Sequence, residues 1–233
     1  MTTVGFLGLG RMGAPMASNL VGHVDELLVH DLSPTAVDVL VARDAKAAGS
    51  AAALGEKCDI VFLSLPTPPI VRSAVEEVIA GGSPRMICDL STSGPKLAQE
   101  LHDMLTARSI ASFDAPVSGG IRGAEQGTLA IMVGGPEALW PELEPLLQRI
   151  GKPFYLGETP GAGQVTYDED RSQPATPTDQ WQYSGSSNDL PGCWSACRPD
   201  SAGAAAGGAA REFRCPCSGH SWAVFAAASR RSS

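Results

Sequence analysis

Three glycines near the start of the chain have the spacing of a site for a dinucleotide pyrophosphate. Gly8, Gly10 and Gly13 follow the apolar run Val4–Leu7 and precede a helical pattern. In the G-x-G-x-x-G arrangement one glycine makes a tight turn, one lets the backbone approach the phosphates, and one lets helix and strand pack closely. Ordinary tight turns between a strand and a helix can have the same spacing, so the surrounding elements must decide.

A carboxylate follows at the end of the second apolar run. Asp31 closes the run Leu27–Asp31, eighteen positions after Gly13, which is about where this fold places an acid on the adenosine ribose hydroxyls. Because a negative charge there repels a 2′-phosphate, the sequence favours NAD over NADP. Ser33 and Pro34 come next, so a turn or a helix cap is the alternative role for Asp31.

Three further stretches at strand ends are rich in proline or in small polar residues. Leu65–Pro69 either covers a cofactor or is a plain structural loop. Two stretches, Asp89–Pro95 and Asp114–Gly120, could present hydroxyl and N–H groups to a carboxylate. The alternative is a purely structural role, with Ser93 as a helix cap and Ser118–Gly120 as a flexible turn.

Alternating strands and helices are predicted to position these residues. Strands are expected at Val4–Leu7, Leu27–Asp31, Ile60–Leu65 and Met86–Leu90, and helices at Met12–Val21, Pro34–Val41, Ala51–Lys57, Ile70–Ile79 and Lys96–Ala107. This alternation predicts an α/β fold with a doubly wound, mostly parallel sheet. The ligand crevice of such a sheet lies at the carboxyl ends of its strands.

Charge and length restrict the partners of the chain. It has 233 residues and a formal net charge of −8, without a basic run, so binding to nucleic acid or to an anionic membrane is not expected. No apolar stretch reaches the length of a membrane span, and the first strand begins without a charged leader. We therefore expect a cytoplasmic protein.

The six cysteines do not indicate disulfides or a metal site. Cys58 and Cys88 lie in apolar runs and are expected to be buried thiols. The other four cysteines, together with His220, do not follow the usual paired C-x2-C spacing of zinc sites, and no metal is predicted. These four are Cys193, Cys197, Cys215 and Cys217.

Five motifs agree in order and spacing with one known family. They are Phe6–Leu20, Leu65–Pro66, Asp89–Pro95, Asp114–Leu129 and Gly161–Gln164. Over residues 1–165 the chain resembles the β-hydroxyacid dehydrogenases, the group of 3-hydroxyisobutyrate dehydrogenase, tartronate semialdehyde reductase and the NAD-binding domain of 6-phosphogluconate dehydrogenase. The resemblance implies a Rossmann domain joined to an all-helical domain, an NAD-type cofactor, and hydride transfer between NAD and a short 3-hydroxy acid or its semialdehyde.

The resemblance also implies roles for individual residues. The substrate carboxylate would be held by Ser118, Gly119 and Gly120, whose N–H and O–H donors can orient the carbon that exchanges the hydride. The cofactor would be contacted by the glycine turn, by the acid on the ribose, and by three residues at later strand ends. The full cofactor set is Gly8, Leu9, Gly10, Arg11, Met12, Gly13, Asp31, Leu65, Pro66 and Thr92.

The chain departs from the family after Gln164. The family pattern G-x-G-x-x-x-K-x-x-x-N has its general acid/base lysine where this chain has Tyr167, and its asparagine where this chain has Arg171. Neither catalytic side chain of the family is therefore present. A phenol can donate a proton to a developing alkoxide, but it is a slow base at neutral pH. We therefore expect cofactor binding with little turnover, the alternatives being a non-catalytic nucleotide-binding module and an imine reductase that uses Tyr167.

From Thr166 onward the composition changes abruptly. Residues 166–233 contain no Lys, Ile or Met and are rich in Ala, Gly, Ser, Pro and Arg, so they are expected to form an irregular tail without a second globular domain. Asp168–Asp170 is interpreted as loop or disorder, and helices are predicted only near 202–210 and 223–228. The hypothesis is a frameshifted or aberrant end, with a short real domain and a regulatory tail as alternatives. Since relatives associate largely through the helical domain, much of the oligomer interface would be missing.

Overall fold

The chain divides into two units, Met1–Gln173 and Pro174–Ser233. The computed structural model describes residues 2–172 of the first unit and residues 211–214 and 221–224 of the second. Within these ranges, no helix has both the length and the apolar character that crossing a bilayer requires.

Six parallel strands form the main sheet of the first unit. They are β1 Thr3–Leu7, β2 Glu26–His30, β3 Lys46–Ala47, β4 Ile60–Leu63, β5 Met86–Asp89 and β6 Ala111–Asp114. Their order is β3-β2-β1-β4-β5-β6, with every pair parallel. This order is the Rossmann arrangement, and it confirms the predicted doubly wound α/β fold. The order reverses between β1 and β4, where a ligand crevice is expected at the carboxyl ends.

Five helices cross between these strands. They are α1 Gly13–Ser18, α2 Pro34–Val41, α3 Ala51–Lys57, α4 Pro68–Gly81 and α5 Pro95–Thr106. The serines before α2 and α3 cap them, since Ser33 Oγ accepts from the N–H of Ala36 at 3.4 Å and Ser50 Oγ accepts from the N–H of Ala53 at 3.1 Å. The predicted bounds of α2 and α3 are confirmed, whereas α1 is shorter than predicted.

Alternate residues of the central strands pack on opposite faces of the sheet. Phe6 and Phe62 lie on one face with their ring centroids 6.1 Å apart, and Leu7 and Leu63 lie on the other. Helices α1 and α2 cover the first face, and α3, α4 and α5 cover the second. This alternation follows from the two-residue period of a strand.

The two cysteines predicted to be buried are confirmed as free thiols in the core. Cys58 and Cys88 are both buried and unpaired. Burial and the nearby Asp59 raise the pKa of Cys58 to about 12, so this thiol stays protonated at neutral pH and behaves as a small apolar side chain.

A second, three-stranded sheet follows, which no pattern described in the sequence predicts. It consists of β7 Val117–Ser118, β8 Leu129–Val133 and β9 Gly151–Tyr155, and its helices are α6 Gly120–Gln126 and α7 Trp140–Ile150. Strand β8 pairs with β7 in antiparallel and with β9 in parallel orientation. An antiparallel bridge between Asp114 and Gly134 connects it to the main sheet.

The last helix of the first unit overturns one prediction. Helix α8 spans Ala162–Ser172 and includes Asp168–Asp170, so the prediction of loop or disorder at these three residues is wrong. The Asp114 carboxylate accepts from the N–H groups of Gly161 and Gln164, both at 2.9 Å, so donors of the first turn are satisfied. Once a first turn is stabilised, each further residue adds a hydrogen bond at little cost.

In the second unit the described residues form an antiparallel pair, β10 Arg211–Arg214 and β11 Ser221–Val224. The predicted helix at 223–228 is therefore wrong for Ala223 and Val224. Trp222 and Val224 are residues that favour strands over helices. Residues 202–210 and 225–228 lie outside the described residues, as do Cys193, Cys197, Cys215, Cys217 and His220.

Candidate functional site

The glycine turn after β1 has two closed positions and one open position. Gly8 has a φ of +94°, and a Cβ there would lie 2.3 Å from the carbonyl oxygen of Ser64. A Cβ on Gly13 would lie 1.9 Å from the carbonyl oxygen of Gly8. A Cβ on Gly10 would meet no atom within 4 Å, and Gly10 is exposed. The space beside Gly10 is therefore open, a cradle that a side chain would partly fill and that leaves the backbone accessible to a ligand.

Three backbone N–H groups at and after this open position have no acceptor within residues 2–172. The N–H of Ala14 donates to the carbonyl of Gly10 at 3.0 Å and closes the turn. Among the described residues, none accepts a hydrogen bond from the N–H groups of Gly10, Arg11 or Met12. Three adjacent amide donors at one exposed turn suit an anion such as a pyrophosphate.

Asp31 lies directly beside the glycine turn. Its Oδ2 accepts from the N–H of Leu9 at 2.6 Å, and its Oδ1 accepts from the N–H of Ser33 at 2.8 Å. The bond to Ser33 is the contact expected if Asp31 serves as a turn residue, the alternative role given above. The bond to Leu9 instead joins the end of β2 to the glycine turn. The carboxylate is half-buried, and each oxygen can accept a second hydrogen bond. The next residue, Leu32, is 96% exposed.

The stretch after β4 differs in part from the prediction. Leu65 is half-buried and Pro66 is exposed at the strand end. Pro68 and Pro69 lie in the first turn of α4. The predicted loop Leu65–Pro69 is therefore wrong for these two prolines, which are helical. Proline is favoured in the first helical turn, because an N–H there has no intrahelical acceptor.

The loop after β5 is anchored from inside. Ser91 and Ser93 are buried, and Thr92 between them is exposed at the carboxyl end of the strand. Ser93 Oγ donates to Asp89 Oδ2 at 2.7 Å, and the N–H of Ser91 donates to Asp89 Oδ1 at 2.9 Å. Gly94, not Ser93, is the residue that precedes α5, so the predicted alternative of Ser93 as a helix cap is wrong.

The second polar stretch joins a strand to a helix. Ser118 pairs with Ala130 across β7 and β8, and Gly119 and Gly120, with φ of +128° and +64°, lead into α6. The predicted alternative of a flexible turn is therefore wrong for Ser118. Within the described part of the chain, no group accepts from the N–H of Gly119 or Gly120, and no hydrogen bond joins these two glycines to the loop after β5.

Five buried polar residues connect the strand ends to α8, a role that the sequence patterns do not predict for any of them. We call them the buried polar cluster: Asp89, Ser91, Ser93, Asp114 and Gln164. The cluster joins the end of β4 through the N–H of Leu65, which donates to Ser91 Oγ at 2.9 Å. Burial raises the pKa of Asp89, and it raises that of Asp114 to about 6. The signal in the sequence that could have found the buried polar cluster is that all five residues lie in the motifs shared with the family.

Tyr167 lies on α8, one helical turn after Gln164. Its side chain is half-buried. Because residues three apart on a helix are neighbours on its surface, the orientation of α8 at Gln164 also sets the direction of Tyr167. Arg171 lies within the same helix.

Comparisons with known proteins agree with this arrangement. Residues 3–162 match the NAD binding domain of 6-phosphogluconate dehydrogenase. From Pseudomonas aeruginosa, a 3-hydroxyisobutyrate dehydrogenase is 39% identical over 170 residues, and an NAD-dependent L-serine dehydrogenase is 39% identical over 169 residues. Both alignments cover 71% of this chain.

A solved structure is similar over the same region. The 3-hydroxyisobutyrate dehydrogenase of Mycobacterium tuberculosis with L-serine superposes with a TM-score of 0.69 and 38% sequence identity, covering 73% of this chain. The chain spans 57% of the length of the two Pseudomonas relatives and 59% of the Mycobacterium structure. By its matching domain, strand order and glycine turn, the chain belongs to the family of the NAD binding domain of 6-phosphogluconate dehydrogenase.

Proposed function

We propose that the chain binds NAD through the turn Gly8–Gly13 and is a member of the 3-hydroxy acid dehydrogenase type. The observation that carries the proposal is the contrast within the turn. A Cβ is excluded at Gly8 and Gly13 by backbone contacts, but at Gly10 it would enter open space. Packing alone explains the first two glycines, whereas a backbone that must approach a ligand explains the third.

Asp31 supports NAD over NADP. Its carboxylate ends β2 beside the glycine turn and retains lone pairs after its bonds to Leu9 and Ser33. These lone pairs can accept from the hydroxyls of an adenosine ribose. A 2′-phosphate at the same place would bring two negative charges together.

Ser118, Gly119 and Gly120 are the proposed site for the substrate carboxylate. The two glycine N–H groups have no acceptor in the described part of the chain, and the left-handed backbone at both glycines turns the chain there. Amide and hydroxyl donors suit the carboxylate of a short 3-hydroxy acid. The relatives named as acting on 3-hydroxyisobutyrate and L-serine support this substrate class.

Catalysis divides into hydride transfer and proton transfer. A bound nicotinamide supplies or accepts the hydride, and the chain orients it through Leu65, Pro66 and Thr92. Proton transfer falls to Tyr167, at the place where the family pattern has lysine. We infer slow turnover, because loss of an effective general acid/base costs about 10²- to 10⁴-fold. We further propose that residues 1–165 are the dinucleotide-binding domain and that 166–233 form no second helical domain.

The test combines binding and turnover on the full chain. NADH fluorescence should titrate with saturable binding tighter than that of NADPH, and oxidation of 3-hydroxyisobutyrate should be slow. Absence of NADH binding would contradict the proposal that the turn Gly8–Gly13 binds NAD. Turnover at the rate of the Pseudomonas relative, measured in parallel, would contradict the inference of slow turnover. Binding without turnover on any 3-hydroxy acid would favour a non-catalytic nucleotide-binding module.

A further inference from the structure

Gln164 is fully buried, and within residues 2–172 its side-chain amide bonds only to the loop between β5 and α5. Its Oε1 accepts from the N–H groups of Ser93 at 3.2 Å and Gly94 at 3.0 Å. Its Nε2 donates to the carbonyl of Ser91 at 2.8 Å. One side chain therefore satisfies three backbone groups on both sides of Thr92, and the exposed fraction of Gln164 is 0%.

The loop held by Gln164 carries proposed cofactor contacts. Ser91 and Ser93 point inward while Thr92 is exposed between them. Ser91 Oγ also accepts from the N–H of Leu65 at 2.9 Å, so the end of β4 is attached to the same loop. A shift of this loop would move Thr92 and Leu65 together.

The other end of Gln164 belongs to α8. Its backbone N–H donates to Asp114 Oδ2 at 2.9 Å, and Tyr167 follows one turn later on the same helix. Gln164 thus connects the loop after β5 to the helix that carries the residue proposed for proton transfer.

The strand order indicates which half of a dinucleotide meets this loop. Asp31 ends β2, on one side of the point where the order reverses, and the loops after β4 and β5 lie on the other side. In this fold the two halves of a dinucleotide occupy opposite sides of that point. The adenosine half belongs with Asp31, so the loop after β5 faces the nicotinamide half.

We propose that Gln164 is a positioning residue, whose amide fixes the loop Ser91–Gly94 against α8 and so shapes the crevice for the nicotinamide half of the cofactor. This inference rests on the proposed function. An apolar side chain at this position would leave two buried N–H groups and one carbonyl without partners, and the loop would have to move to hydrate them.

The experiment compares two ligands on the full-length chain. NADH reports both halves of the site, and ADP-ribose reports the adenosine half alone. Gln164→Met keeps the length of the side chain but removes its polar atoms. We expect it to raise the Kd for NADH by about tenfold or more and that for ADP-ribose by less than about twofold. The fluorescence enhancement of bound NADH should fall as well. Gln99→Met, at an exposed position of α5, is the matched control and should change neither Kd.

A second variant covers the case in which Gln164→Met does not fold. In Gln164→Glu, the protonated carboxyl group has one acceptor and one O–H donor and so imitates the amide. The ionised carboxylate has no donor. Burial favours the protonated form. The NADH affinity of Gln164→Glu is measured relative to wild type at the same pH, which accounts for Asp89 and Asp114 in the same cluster. We expect it to increase as the pH is lowered from about 8 to about 6, because burial raises the pKa of the glutamate.

The outcomes separate the two proposals. If wild type binds NADH and the variants bind both ligands as wild type does, the role proposed for Gln164 is overturned and the proposed function is not. Equal loss of NADH and ADP-ribose affinity at every pH would also overturn it, because that pattern indicates general structural damage. Wild type that binds no NADH would overturn the proposed function and this inference with it.

Discussion

Asp89 and Asp114 end neighbouring parallel strands at the same register, and both carboxylates are buried. Asp89 holds the loop that follows its own strand, through Ser91 and Ser93. Asp114 instead holds α8, a helix almost fifty residues further along the chain, through Gly161 and Gln164. Two acids at one edge of the sheet therefore attach two different elements to it.

Asp114 should make stability depend on pH. Its pKa is 3.8 in a model compound and about 6 in the folded chain. Between these values the native state binds more protons than the unfolded state, so the free energy of unfolding falls as pH rises from about 4 to about 7. A shift of this size corresponds to about 3 kcal/mol. Asp114→Asn should be destabilised at every pH, but with a shallower dependence on pH in urea denaturation.

The control for this prediction is Asp103→Asn, at an exposed position of α5. It should show the same dependence on pH as wild type. Parallel profiles for wild type and Asp114→Asn would show that Asp114 does not carry the effect.

Gly10 and Gly13 should respond in opposite ways to alanine. Gly13→Ala places a Cβ 1.9 Å from the carbonyl of Gly8, so the contact between α1 and β1 must open and the melting temperature should fall. Gly10→Ala meets no atom, so its melting temperature should equal or slightly exceed that of wild type. Its NADH affinity should nevertheless fall by about tenfold or more. Thermal unfolding and NADH titration of both variants check this pair, and NADH binding by Gly10→Ala at wild-type affinity would refute the cradle.

Asp31→Asn should change the preference between the two cofactors. The substitution removes the charge that disfavours a 2′-phosphate and one acceptor for the N–H groups of Leu9 and Ser33. We expect the ratio of the Kd for NADPH to that for NADH to fall by about tenfold, chiefly through weaker NADH binding. Asp38→Asn, at an exposed position of α2, should leave the ratio unchanged. A ratio unaffected by Asp31→Asn would remove this residue from the ribose site.

Tyr167→Lys should increase the oxidation of 3-hydroxyisobutyrate. The substitution supplies an amine at the position where the family pattern has one, and an effective general acid/base is worth about 10²- to 10⁴-fold. Since Arg171 and the tail are unchanged, we expect a gain near the lower end of that range, measured as kcat with NADH affinity unchanged. Tyr167→Phe should reduce the residual rate. No increase in Tyr167→Lys would count against general acid/base catalysis at this position.

Local signals in the sequence were sufficient for much of the main sheet. Helices α2 and α3 begin after serines whose hydroxyls cap them, and such caps depend on residues only three apart. The second sheet had no comparable signal. Strand β7 has two residues. Strand β9 contains Pro153, and among the described strands it pairs only with β8, so it lies at a sheet edge, where proline is tolerated.

The role of Gln164 could not be predicted for a related reason. Its side-chain bonds join residues 70 to 73 positions apart. No periodicity or cap connects positions so distant, and only the strand order brings them together. The glycine turn and Asp31 were easier to find, because one βαβ unit contains both.

The bridge between Asp114 and Gly134 has a consequence for hydrogen exchange. The backbone of Asp114 exchanges two hydrogen bonds with Gly134, at 3.0 and 2.8 Å, while its carboxylate holds the N–H groups of Gly161 and Gln164. Three amide protons from two elements thus depend on a single residue. The amides of Gly134, Gly161 and Gln164 should therefore exchange with deuterium through one shared opening, with similar protection factors, as a single cooperative unit.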